Sequence, residues 1–169
     1  MLQTFFSNIN HALSAEKAHA HCDIPCGIYD PHGAQLAAMT VLRMVNLMDG
    51  LAMPGGSQAE METYANSLNR YTATKEQHAE LCKKELLILW GDYFRPEHLE
   101  KYPDLHTTFW TAVKLAGQNK QKVDAKAAQD LVGAVQKVAE IFWATKGASV
   151  KRQASLQPVG GEIVVPVPA

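Results

Sequence analysis

Within six residues the chain places one imidazole and two thiols, His21-Cys22-Asp23-Ile24-Pro25-Cys26. Pro25 fixes a backbone dihedral between the cysteines, so that both sulfurs can face a single ion. Thiols and imidazole are ligands for transition metals, but a closed tetrahedral zinc site takes four side chains and this segment has three. Elsewhere the sequence offers Cys82 and scattered histidines, with no second pair at ligand spacing. From spacing alone, three readings stay open: a metal hook, half of a zinc site completed elsewhere, or a loop cysteine pair beside an incidental histidine. A cut before His21 would change the donor set. The new α-amine, the Cys22 amide nitrogen and the two thiolates would then supply two nitrogens and two sulfurs in one plane, a set that suits nickel or copper better than zinc.

The elements that must position this segment are read from periodicity. From Pro31 to Gly50, Leu36, Met39, Arg43, Met44, Leu47 and Leu51 recur at helical spacing. Val41, Leu42, Val45 and Met48 fill neighbouring faces, which predicts a helix buried on more than one side. Met53-Pro54-Gly55-Gly56 breaks that pattern, and Ser57 can cap a long second helix running to Trp90. Its stripe is Tyr64, Leu68, Tyr71, Lys75, His78, Cys82, Leu86 and Leu89. The connection from Gly91 to His98, with Pro96 and then Pro103, reads as an ordered aromatic corner. A third helix over Asp104–Gly117 and a fourth from Asp124 complete the set. The fold class expected is all-α, an antiparallel four-helix bundle with an N-terminal metal-binding hook. Residues 148–169 mix Gly160-Gly161 with Pro158, Pro166 and Pro168 and are expected to be a flexible tail.

Bulk numbers fit one domain. A chain of 169 residues that is 47% hydrophobic can bury a single core. Sixteen Lys and Arg against seventeen Asp and Glu leave a formal charge of -1 with no basic run, so nucleic acid is not an expected partner. The strongest apolar stretch, Leu86 to Trp90, is far short of a membrane span, so no membrane association is expected. Residues 1–20 end in Ala-His-Ala but lack a basic start and carry Ser7, Asn8, Asn10 and His11 at their centre. They read as a pro-segment rather than a secretion signal, and with unpaired cysteines this favours a cytoplasmic location.

The run His21-Cys22-Asp23-Ile24-Pro25-Cys26-Gly27-Ile28-Tyr29-Asp30-Pro31 is similar almost letter for letter to the nickel-hook motif of nickel-containing superoxide dismutases. The resemblance continues through Lys75-Glu76-Gln77, Leu89-Trp90-Gly91-Asp92-Tyr93-Phe94, Glu100-Lys101-Tyr102-Pro103 and Ile141-Phe142-Trp143, and spans about His21 to Gly147. It implies an oxidoreductase that disproportionates superoxide to dioxygen and hydrogen peroxide with a nickel ion cycling between Ni(II) and Ni(III). It implies as ligands the His21 amine, the Cys22 amide nitrogen and the Cys22 and Cys26 thiolates, with the His21 imidazole axial in the oxidised state. It implies a four-helix protomer, a homohexamer, and a maturation peptidase that cleaves between Ala20 and His21.

Around the hook, the resemblance gives Tyr29 a part in positioning substrate and excluding larger anions; the plainer reading is a packed loop aromatic. Asp23 can orient the hook through backbone hydrogen bonds, or serve as an ordinary turn residue. Two positions depart from the family pattern: Ala37 and His78 stand where the family has a glutamate and an arginine that help hold the axial imidazole. A ligating imidazole needs a partner for its other nitrogen, so the pattern around His21 is altered. His78 can replace that partner in part, or be a satisfied core histidine. Cys82 is expected to act as a small buried hydrophobe. Lys83, Lys84 and Arg95 can attract an anion or simply line solvated faces. The rival functions are a non-enzymatic metal-binding helical-bundle module, which has no need to lose residues 1–20, and a dithiol redox protein using Cys22 and Cys26.

Overall fold

The computed structural model describes residues 26–167. The chain leaves the Cys26–Asp30 segment and enters helix α1, His32–Asp49. Asp30 starts it, accepting the His32 N–H on Oδ1 at 2.7 Å. Ala34, Gln35, Ala37, Ala38, Met39, Val41 and Val45 are all buried, so α1 is enclosed on more than one side as its apolar pattern predicts.

Helix α2, Gln58–Ile88, opens with a reciprocal cap. Ser57 Oγ accepts the Glu60 N–H, and the Glu60 carboxylate accepts the Ser57 N–H at 3.2 Å. The predicted stripe is fully buried only toward the C-terminal end, at Lys75, Cys82 and Leu86; Tyr64, Leu68 and Tyr71 stay half-buried. After Ile88 the backbone widens into a π-helical turn, Leu89–Tyr93, closed by the Phe94 N–H on the Leu89 carbonyl at 3.1 Å. The corner expected here contains a further short helix, α3 (Pro96–Lys101), with proline in its first turn.

Helix α4, Leu105–Gln121, continues past Gly117, where the sequence pattern had suggested an end. Its C-terminus is closed by an unusual donor: buried Lys75 of α2 gives its ammonium to the carbonyls of Asn119, Lys120 and Lys122. A lysine here satisfies carbonyls that no helical N–H can reach, and its charge opposes the negative end of the helix dipole. Helix α5, Ala125–Thr145, is capped by Asp124 Oδ1 on the Ala127 N–H at 3.0 Å.

The four long helices close a ring, with α1 against α2 and α5, and α4 against α2 and α5. The core lies inside it, built from Val41, Val45, Leu86, Phe109, Leu131 and Phe142 among others. The start of α1 meets the end of α2: a Cβ on Gly33 would stand 3.3 Å from the Glu85 carboxylate, so that close approach uses the missing side chain. No helix among the described residues is long and apolar enough to cross a membrane.

The expectation of a flexible tail over 148–169 is corrected. Strands β1 (Val150–Ala154) and β2 (Glu162–Pro166) pair antiparallel, Val150 opposite Pro166 and Ala154 opposite Glu162. The fold is therefore mostly helical with one added hairpin, not purely α. Gly160 and Gly161, at φ +73° and +75°, turn the chain between the strands, and Ser155 ties the turn through its N–H to the Gly161 carbonyl at 3.0 Å. Val164 is 1% exposed, which fixes the hairpin against the helices.

Candidate functional site

His21, Cys22 and Asp23 lie outside the described residues. What the structure places is the stem of the segment, from Cys26 onward, and its surroundings. Cys26 is exposed, and its sulfur accepts the Ile28 N–H at 3.4 Å. The same sulfur lies 3.9 Å from the Ile28 carbonyl, so both contacts tie it to the backbone two residues on. Gly27 follows in the left-handed region at φ +71°, a backbone turn that a residue with a Cβ enters at a cost of about 1–2 kcal/mol. Gly27 thus sets the direction in which Cys26 leaves the fold.

Tyr29 is half-buried and packs on Tyr93, with ring centroids 5.6 Å apart. Tyr93 is the hub of the corner. It stacks on His98 at 5.7 Å and packs on Phe142 at 4.5 Å, and its hydroxyl meets Thr145 Oγ1 at 2.7 Å. Lys146 sits over the Phe142 and Tyr93 rings. Beside Cys26 a cleft of about 230 Å³ opens between Gly27, Tyr29, Asp92, Tyr93, Arg95, Glu97 and His98. The π-helical turn supplies Asp92 and Tyr93, and the chain around the start of α3 supplies Arg95, Glu97 and His98. The cleft is therefore lined by two phenols, a guanidinium, an imidazole and two carboxylates, and its lining begins one residue after the exposed thiol.

The sequence placed Tyr93 and His98 in an ordered aromatic corner without a part in the site, and left Arg95 between two readings. The structure brings all three to one wall with Tyr29. Arg95 is in place to attract an anion; Lys83 is half-buried and Lys84 exposed on α2, and neither lines this cleft. The signal that could have located the wall was the density of aromatic and titratable residues between Tyr93 and His98.

Cys82 is fully buried, and burial, reinforced by the Glu85 charge, pushes its thiol up to about 12. It stays a neutral hydrophobe at physiological pH, as expected. His78 is half-buried and holds its Nδ1 at 2.9 Å from the Thr74 carbonyl of its own helix, as a satisfied histidine does. Ala37 is buried at 2% exposure, so α1 offers no carboxylate at that position. Among the described residues no group of three or more His, Cys, Asp or Glu is arranged to hold a metal.

The sequence profile of the nickel-containing superoxide dismutases matches residues 16–146. The chain belongs to that family. Membership gives the enzyme class, superoxide dismutase, with superoxide as the substrate and nickel as the cofactor. The chain is 38% identical over 132 residues to the nickel superoxide dismutase of Streptomyces seoulensis, covering 78% of this chain and 92% of that one. It is 37% identical over 129 residues to that of Streptomyces coelicolor, covering 76% and 90%. A crystal structure of a nickel-containing superoxide dismutase in the oxidised ligation state superposes with a TM-score of 0.65 at 38% identity. That match covers 76% of this chain and all of the other. In this member of the nickel-containing superoxide dismutases the hairpin begins after the matched segment ends.

Proposed function

We propose that this chain disproportionates superoxide at an N-terminal hook, His21-Cys22-Asp23-Ile24-Pro25-Cys26, made active by removal of residues 1–20 as a pro-segment. The observation that carries the reading is the exposed Cys26, its sulfur backed by an N–H and its stem set beside the Tyr29 cleft. The donor chemistry fits nickel: an amine, an amide nitrogen, two thiolates and an imidazole are an electron-rich set that would suit an ion of variable oxidation state. In this reading the His21 amine and imidazole, the Cys22 amide and thiolate, and the Cys26 thiolate would hold the metal. Nickel, when bound, supplies a one-electron couple between Ni(II) and Ni(III). Two superoxide ions and two protons yield one dioxygen and one hydrogen peroxide.

The chain's own residues do the rest. Arg95 attracts the superoxide anion to the cleft, where the Tyr29 hydroxyl orients it and narrows the opening against larger anions. Packing on Tyr93 keeps the Tyr29 ring in one orientation. Asp23 orders the turn of the hook through backbone hydrogen bonds. We read the ring of long helices as an antiparallel four-helix bundle that holds this stem rigid, and the assembly as a cytoplasmic homohexamer. Sedimentation of the active form would show six chains per particle, and a monomer would exclude that assembly.

The hook reading is tested by Cys26→Ser in a form starting at His21. Loss of bound nickel together with loss of superoxide disproportionation is the expected result. Full nickel binding by that variant would remove Cys26 from the ligand set.

A further inference from the structure

The hairpin lies past residue 146, where the family segment ends, and 76% of this chain already matches the whole of a solved relative. It lies outside the segment shared with that relative, and its attachments are specific. On α5, Arg152 Nη2 donates to Glu140 Oε1 at 2.7 Å and Nη1 to Gln136 Oε1 at 2.9 Å, while Gln136 Nε2 donates to the Glu162 carbonyl at 2.7 Å. On α1, the Gln35 amide bonds both backbone groups of Val164. Its Nε2 donates to the carbonyl at 3.0 Å and its Oε1 accepts the N–H at 2.7 Å. Gln35 is 3% and Val164 1% exposed, so this pair is out of water. The side-chain amide stands in for a third strand and closes the outer edge of β2.

Gln35 belongs to the turn from which the stem springs. Its N–H reaches the Pro31 carbonyl at 3.2 Å, one residue after the Asp30 carboxylate that caps His32. The first turn of a helix is the part most given to fraying, and buried hydrogen bonds to its side chains resist that.

We propose that the C-terminal hairpin is a strap that fixes the base of the metal-binding stem, with Gln35 as its clasp. Gln35 is a positioning residue: through the first turn of α1 it holds the Cys26–Asp30 segment at a fixed angle to the cleft. What that stem carries rests on the hook function proposed above. Ligands of one ion must be held within a fraction of an ångström, so a loosened base lets the ion go more readily.

The test is hydrogen exchange on the full chain without nickel, comparing Gln35→Met, which keeps length and burial but removes both bonds, with Arg152→Ala, which removes the bonds of β1 to Glu140 and Gln136 of α5 and leaves the Gln35 clasp intact. Gln35→Met is expected to speed exchange over residues 26–38 and β2 by about tenfold or more, leaving the buried amides of α5 unchanged. Arg152→Ala is expected to leave residues 26–38 as they are. Acceleration confined to the hairpin, or spread equally over the whole chain, would overturn the proposal. If Gln35→Met does not fold, Gln35→Glu keeps the acceptor and loses the donor, and an unchanged 26–38 segment in that variant overturns it equally. In the form starting at His21, Gln35→Met is expected to release nickel to a chelator several-fold faster, and equal release would remove the positioning role. If the unsubstituted form binds no nickel at all, the hook reading fails while the exchange result still decides the strap.

Discussion

Cys26 and Cys82 are the same residue type in opposite surroundings. Cys26 stands in solvent with an N–H directed at its sulfur, and Cys82 is sealed in the core with its thiol pushed up to about 12. Their substitutions should therefore separate cleanly. Cys82→Ala is expected to keep one nickel per chain and to lower stability by about 1 kcal/mol, whereas Cys26→Ser loses the metal. Nickel analysis with denaturant unfolding of both variants checks this, and metal loss from Cys82→Ala would place a ligand in the core. At this scale the candidate hook stood out in the sequence by its tight spacing, since six consecutive residues carry the pattern that resembles the family motif. The wall around Tyr29 was hidden because its residues follow sixty positions later and meet Tyr29 only once α2 has run back to the start of α1.

Helices α2 and α4 depend on polar closures that periodicity does not reveal. Lys75 looked like one member of an apolar stripe, yet it closes the end of α4 with three carbonyl bonds. Lys75→Met should cost about 1–3 kcal/mol by leaving those carbonyls unpaired in a buried place. Equal chemical denaturation midpoints for the two proteins would show that water replaces the ammonium without loss. Of the capping box of α2 only the Ser57 cap was read from the sequence, and its Glu60 half carries a pH signature. The Ser57 hydroxyl, then its backbone N–H, hold the Glu60 carboxyl below its ordinary 4.5. A folded-state pKa below the unfolded one contributes stability that is present above about 4.5 and is lost as pH falls through the folded value. Ser57→Ala should therefore destabilise the protein at neutral pH, and the difference should shrink in acid; a difference independent of pH, read from denaturation midpoints, would contradict this. The long helices were legible because their apolar period is sustained over many turns. The hairpin was not, because Gly160, Gly161 and three prolines read as breakers. What gives those residues structure is burial of Val164 and its bonds to Gln35, a contact 129 positions apart in the chain.

The whole molecule is a member of the nickel superoxide dismutases with a C-terminal hairpin outside the family segment, and in the proposed reading its chemistry depends on an event in the chain rather than on a side chain. While His21 is joined to Ala20, its nitrogen is an amide and cannot serve as the amine donor. In the proposed reading the active donor set therefore exists only after cleavage, whatever the state of the helices. The measurement that tests this most directly compares the full chain with a form starting at His21, each supplied with nickel, by bound metal and by superoxide disproportionation. Stoichiometric nickel and activity in the His21 form alone are the predicted result, and would show that Ala37 is tolerated near the imidazole. Equal activity in the full chain, or nickel bound by neither form, would contradict the processed hook.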